Sequence, residues 1–266
     1  MRALGICLRI MGMNAQSQMA YRRSLFMMYV QQVFGRTIEL ASLWIVLSRF
    51  REVRGWTFYE IIFLYLLNLL SYGLASLFVG PIARLDDLIR QGTFDGLLVR
   101  PLSPLLHLIA RGLRLIFLGH LVLSGILFAI CSAHLDIRWN LLTGLWFFLV
   151  VIGAALIQWS IMMIAGTTSF WFVRSRALVL TAIYSVRGFI EYPITIYDRW
   201  LQVLLTFVIP YAFVNFYPAQ HFLGKAGQTV FHPAFQYGTP VVGAAMFLLA
   251  CGFWRFGVNH YQSTGS

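Results

Sequence analysis

Five stretches of this chain, residues 61–83, 115–133, 141–173, 201–219 and 234–254, contain no Asp, Glu, Lys or Arg. Each approaches or exceeds the ~20 apolar residues that an α-helix needs to cross a bilayer. The hydrocarbon core offers no water to backbone polar groups, so a chain crosses it as helices or as a closed barrel. A barrel would show ~10-residue segments of alternating hydrophobicity, and none is visible here. The sequence therefore reads as an all-α integral membrane protein. Composition agrees: 11% of residues are charged, against roughly a quarter in soluble domains, and mean hydropathy is +0.75.

The runs order themselves into a single transmembrane domain, 24–266, with six expected spans at about 24–48, 58–81, 105–131, 140–170, 177–190 and 240–258. Residues 1–23 precede it as an expected amphipathic helix, kept rather than cleaved, with Arg22 and Arg23 at the lipid headgroups. Charge interrupts the first span at Arg36 and Glu39 and the fifth at Arg187 and Glu191. Spaced i,i+3 and i,i+4, each pair can share a helix face and neutralise itself inside the bundle. Both pairs are read first as structural and second as gating contacts. Gln158 and His120 lie within apolar runs and are read as interhelical hydrogen-bond partners. Placing both termini in the cytoplasm puts Arg84, Arg90, Arg100, Arg111, Arg114, Arg174 and Arg176 inside, and fewer basic residues, among them Arg49, Arg138 and Lys225, outside.

Residues 191–225 do not read as an ordinary loop. Their apolar run is broken at Pro210 and closed at Pro218, and proline interrupts the helical hydrogen-bond ladder. A seventh full span would put the termini on opposite sides, so a re-entrant helical element before the last span is expected, covered by protein at membrane depth.

Catalytic and nucleic-acid functions find little support. The net charge of +11 comes from arginines scattered at loop positions and span ends, with Lys225 the one lysine among 20 basic residues, which fits orientation and lipid headgroups better than a continuous nucleic-acid-binding groove. Cys7, Cys131 and Cys251 are far apart, without CxxC spacing. The six histidines make no HExxH, and no phosphate-cradling GxxxxGK[ST] loop is present. No cofactor or metal site is expected in this chain.

One charged, proline-punctuated segment, PIARLDDLIRQGTFDGLLVRPLSP at 81–104, separates the second and third spans. Residues 82–91 have helical character, with Leu85, Leu88 and Ile89 on one side and Asp86, Asp87 and Arg90 on the other, and Gly92 as a C-terminal stop. Phe94 and Asp95 turn the chain and Arg100-Pro101 leads into the next span. A helix bearing both charge signs between two spans suits a site where a soluble partner pushes; the plainer alternative is a solvated connecting loop.

IRQGTFDGLLVRPLSPL at 89–105 and EYPITIYDRWLQVLLTFVIPYAFVNFYPA at 191–219 resemble the export-type (type 2) permease subunits of bacterial ABC transporters, in the branch found as paired permeases. The resemblance spans essentially the whole chain. It implies an amphipathic N-terminal helix, six spans, a cytoplasmic coupling helix at 82–104 and re-entrant helices before the last span. It further implies two separately encoded ATPase subunits that bind the ATP and magnesium, a second permease that is identical or a paired homologue, and a dimer seam along the first and fifth spans. Asp86, Asp87, Arg90, Phe94, Asp95 and Arg100 are the residues expected to touch the ATPase. The place implied is the bacterial inner membrane, in contact with lipid and not with nucleic acid. An ATP-independent channel or lipid scramblase is the alternative. Aromatic residues make up 16% of the chain, which suits an amphipathic cargo and interfacial anchoring equally.

Overall fold

In the computed structural model, residues 2–49, 52–172, 185–228 and 230–262 are described, and their regular structure is helical, with no strand beyond one isolated bridge between Val53 and Trp56. Helix α1 (Arg2–Ala20) turns at Tyr21 into α2 (Arg22–Leu47). After a short loop come α3 (Phe58–Val79), α4 (Leu85–Arg90), α5 (Asp95–Leu98), α6 (Pro104–Arg111), α7 (Ile116–Ser132) and α8 (Leu141–Thr167). The remaining helices are α9 (Arg199–Val203), α10 (Phe216–Phe222) and α11 (Thr239–His260). Most of the expected fifth span, 177–184, lies outside the described residues, as do Arg174 and Arg176.

Among the described residues, three helices are long and apolar enough to cross a membrane: α3, α8 with its 3-10 extension to Phe170, and α11. The number is five if two bent pairs, α6 with α7 and Arg199–Val208 with Tyr211–Phe222, each count as one span. Central α3 is 72% buried over its apolar window and peripheral α11 only 22%; α8 packs against both, and α3 also against α7. Small residues let α8 and α11 approach: a Cβ on Gly153 would stand 2.8 Å from the Pro240 Cα, and one on Gly243 only 2.4 Å from the Gly153 carbonyl oxygen. Start signals are local. Asn140 Oδ1 accepts from Thr143 N (2.8 Å) at the head of α8, and Ser103 with Pro104 opens α6.

The third expected span, 105–131, differs from a straight helix: α6 and α7 meet at 67°. At the junction the chain passes close to α3 at Gly112, where a Cβ would stand 2.2 Å from the Phe78 carbonyl oxygen. The broken ladder leaves backbone groups that must be satisfied elsewhere. Arg114 N donates to Leu77 O (3.1 Å) and the Tyr29 hydroxyl to Leu115 O (2.8 Å). Helix α1 supplies the rest: Asn14 Nδ2 donates to Arg111 O (2.7 Å) and Leu113 O (2.9 Å), and Gln18 Nε2 donates to Leu113 O (2.7 Å). Gln18 Oε1 also accepts from Leu115 N (2.9 Å). Asn14 and Gln18, four apart, stand on one face of α1, so α1 serves as a splint for the break.

A second break lies at Pro210, where the two pieces meet at 77° after a π turn over Leu204–Val208. Pro218, in contrast, lies in the first turn of α10, where a missing N–H removes no helical bond. The irregular backbone is covered: Tyr211, Ala212, Val214, Phe216 and Tyr217 are buried. Asn215 Nδ2 donates to Ile190 O (2.5 Å) and Leu64 O (3.2 Å), and Thr239 Oγ1 donates to Phe213 O (2.7 Å). Lys225 pairs with Glu60 (2.9 Å) at the head of α3.

Candidate functional sites: the charged segment and the intramembrane polar cluster

The segment between α3 and α6 is docked, not draped. Ile82, Leu85, Ile89, Phe94 and Leu97 are buried in one apolar core with Met162 and Met163 of α8 and Ala250 and Trp254 of α11. The apolar side expected at Leu85, Leu88 and Ile89 is the side that packs, Leu88 being partly buried. The seat is close: a Cβ on Gly166 would lie 2.2 Å from the Ile82 carbonyl oxygen. Helix α4 stops at Gly92, whose φ of 65° lies in the left-handed region glycine favours, and Gly92 N donates to Ile89 O (3.0 Å).

Burial sorts the residues singled out in this segment. Phe94 is 0% exposed, with its ring 5.0 Å from Tyr261, 5.3 Å from Phe170 and 6.4 Å from Trp254. Asp86 is 5% exposed. Both were expected to face a partner; instead Phe94 pins the segment to the ends of α8 and α11, and Asp86 lies beneath Arg90, whose Nη2 is 4.0 Å away. Asp87 and Arg90 do reach the surface, paired at 2.5 Å. Arg100 is exposed, its Nε donating to Gly96 O (3.3 Å) and its Nη1 lying 3.3 Å from His107 Nε2. Asp95 is half-buried and faces the Tyr261 hydroxyl. Burial first, and the facing carboxylate second, push that phenol up to about 12. Beside Arg100, the sequence reading passed over Val99 and Leu98, which are exposed apolar side chains, Val99 at 86%. Ionic and apolar groups thus share one outward surface on a rigid base.

The second site is a polar cluster along α3. The Arg36 guanidinium bonds the Glu39 carboxylate on α2, and the Tyr65 hydroxyl of α3 donates to that carboxylate and lies 3.3 Å from Arg36 Nη1. Three and seven residues further on, Asn68 and Tyr72 occupy the same face of α3. Arg187 lies over the Tyr72 ring (3.6 Å to its centre), with Nε 3.5 Å from Asn68 Oδ1. Gln158 of α8 donates from Nε2 to Ser71 Oγ (2.6 Å) and to Asn68 O (3.2 Å), an interhelical partner as expected. His120 makes ring contacts instead, stacked on Phe117 at 5.3 Å and edge-on to Tyr72 at 6.3 Å.

The structure therefore gathers Arg36, Glu39, Arg187 and Glu191 into one constellation. Glu191 lies within electrostatic reach of Glu39, Arg187 and Arg36. Arg187 stacks on Tyr72 while Glu191 stays within its electrostatic reach. Residues Phe189–Glu191 wind as a 3-10 turn, and at 3.0 residues per turn positions four apart no longer eclipse. Tyr65 and Asn68, which carry the cluster, drew no attention in the sequence; their signal was polar spacing of three and seven within an otherwise apolar run. Among the described residues no group of three His, Cys, Asp or Glu side chains could hold a metal.

A protein-family model described as "ABC-2 family transporter protein" matches residues 34–265. No curated protein and no solved structure matches the chain.

Proposed function

Because the chain belongs to the ABC-2 family of transporter proteins, we propose that it is the permease subunit of an ATP-driven exporter, worked from outside the chain by two ATPase subunits. A second permease, identical or a paired homologue, completes the pathway. In this reading α2 and the segment around 177–190 join the apolar helices to give six spans, and the bent element at Pro210 is re-entrant. Both termini then face the cytoplasm, in a bacterial inner membrane. ATP and magnesium belong to the partner; this chain contributes no catalysis.

The observation that carries the reading is the docked segment between α3 and α6. It offers Asp87, Arg90, Val99 and Arg100 outward while its buried side grips the ends of α8 and α11. A soft loop would absorb a push; a segment seated in the core passes displacement to two spans at once. Closure of the ATPase pair would then bias the permease between inward-open and outward-open states, through contacts that differ between them. Asp95 and Phe94 position the segment rather than touch the partner.

The polar cluster fits a seam between permeases. Along α2, Phe34, Ile38, Trp44 and Ile45 are exposed, and Arg36 and Glu39 keep 21% and 43% of their side chains uncovered. A charged pair left bare toward lipid is costly, and a second permease would cover it.

The test is co-purification from detergent with candidate ATPase and second-permease subunits. A stable complex weakened by Arg100→Ala and Arg90→Ala supports the reading. A chain that purifies alone and conducts or scrambles lipid in liposomes without ATP contradicts it.

A further inference from the structure

Beside the docked segment, a groove of about 450 Å³ opens between the end of α3 and the break of α6 and α7. Its lining includes Arg84, Arg111, Arg114, Asp87, Gly80 and Gly112. Three guanidinium groups thus face one space with a single carboxylate, and that carboxylate is already held by Arg90 at 2.5 Å. Arg84 and Arg111 are exposed, and among the described residues neither has a hydrogen-bonded or ion-paired side-chain partner. Arg114 is half-buried, its guanidinium 5.6 Å from the centre of the Phe117 ring. Like charges gathered around one groove repel one another and favour an anion between them.

We infer that this groove binds the phosphate of an anionic phospholipid headgroup. Three features select that ligand. The planar fork of arginine matches phosphate geometry. The groove lies where α3 ends and α7 begins, the depth at which span ends meet headgroups, and basic pockets between transmembrane helices bind such lipids. The groove floor is fixed: Gly112 packs on the Phe78 carbonyl, and Asn14 and Gln18 of α1 hold the backbone of residues 111–115. The lipid would so brace both the splinted break and the neighbouring segment. The inference rests on reading α3 and α7 as membrane helices, not on the identity of the partner ATPase.

Native mass spectrometry of the detergent-purified chain tests it, with phosphatidylglycerol or phosphatidylcholine added and inorganic phosphate as competitor. Phosphatidylglycerol should bind in preference to phosphatidylcholine and resist millimolar phosphate. Arg84→Gln with Arg111→Gln should weaken it by roughly tenfold to thirtyfold, at about a factor of five per arginine. Arg84→Lys with Arg111→Lys should keep part of the affinity, and Arg138→Gln, beyond the far end of α7, should change nothing. Equal binding of both lipids by the wild type, or an unchanged double glutamine variant, would overturn the proposal. Displacement by inorganic phosphate would show a free-anion site instead. Loss of ATPase co-purification with lipid binding intact would assign the arginines to an acidic protein partner and equally overturn it. The wild-type lipid preference and the lysine pair decide the matter even if the glutamine pair fails to fold.

Discussion

Two groups of charge stand on this fold in opposite ways. On the segment between α3 and α6, Ile82, Leu85, Ile89, Phe94 and Leu97 are sealed into the core while Asp87, Arg90 and Arg100 reach the surface. In the cluster along α3, the buried Tyr65 and Asn68 turn to the charges of α2 and to Arg187, with Gln158 behind them on Asn68 and Ser71. The first arrangement sets charge at the surface, within reach of something outside the chain; the second spends the chain's own polar groups on satisfying charge. The difference separates a surface for contact from a joint between helices, although both are rich in Arg and acid.

The comparison breaks most severely at Gly166. Any side chain there drives into the Ile82 carbonyl, so Gly166→Val should unseat the segment and destabilise the protein by about 3 kcal/mol or more. Thermal unfolding in detergent and protease cleavage within 82–104 measure it. Next is Glu39→Gln, which leaves the Arg36 guanidinium without its carboxylate and should cost about 2 kcal/mol. Adding Arg36→Gln should recover part of that loss, and a double-mutant thermal series checks the sign. Arg100→Ala should change stability by less than about 0.5 kcal/mol, as surface changes do, while sharply lowering ATPase stimulation by the permease. A stability loss of the Glu39→Gln size there would erase the distinction between the two sites.

The smallest effect is a pH dependence. Folding raises the Tyr261 phenol from 10.0 to about 12, so the folded state holds the proton more tightly. That contribution is fully present below pH 10 and is lost as pH rises through about 12. Tyr261→Phe should flatten this alkaline loss, read from unfolding temperatures across that window.

Much of this was legible in the sequence where one periodicity decides it. The runs without charge gave the apolar helices, and the spacing of Leu85 and Ile89 gave the buried side of the segment. Gly92 gave its stop, since few other residues accept a positive φ. Where partners are distant in sequence, the signal failed. Phe94 looked like a surface contact because the rings that bury it come from Phe170, Trp254 and Tyr261. Asn14 and Gln18 carry no signal in the sequence, because the backbone they hold lies 95 to 99 residues away. The break between α6 and α7 left a trace in Arg111, Gly112 and Arg114 within an otherwise apolar run. That trace marked an expected cytoplasmic span end but not that Gly112 meets Phe78.

The central claim is that the outward surface of the docked segment is where the ATPase acts. A photo-crosslinking residue at Val99, 86% exposed, tests it directly, with one at Tyr237, 49% exposed before α11, as the control. The account predicts a covalent product with the ATPase from position 99 and none from position 237, in membranes holding the assembled transporter. Crosslinking from 237 alone, or from neither position in a complex that hydrolyses ATP, would contradict it.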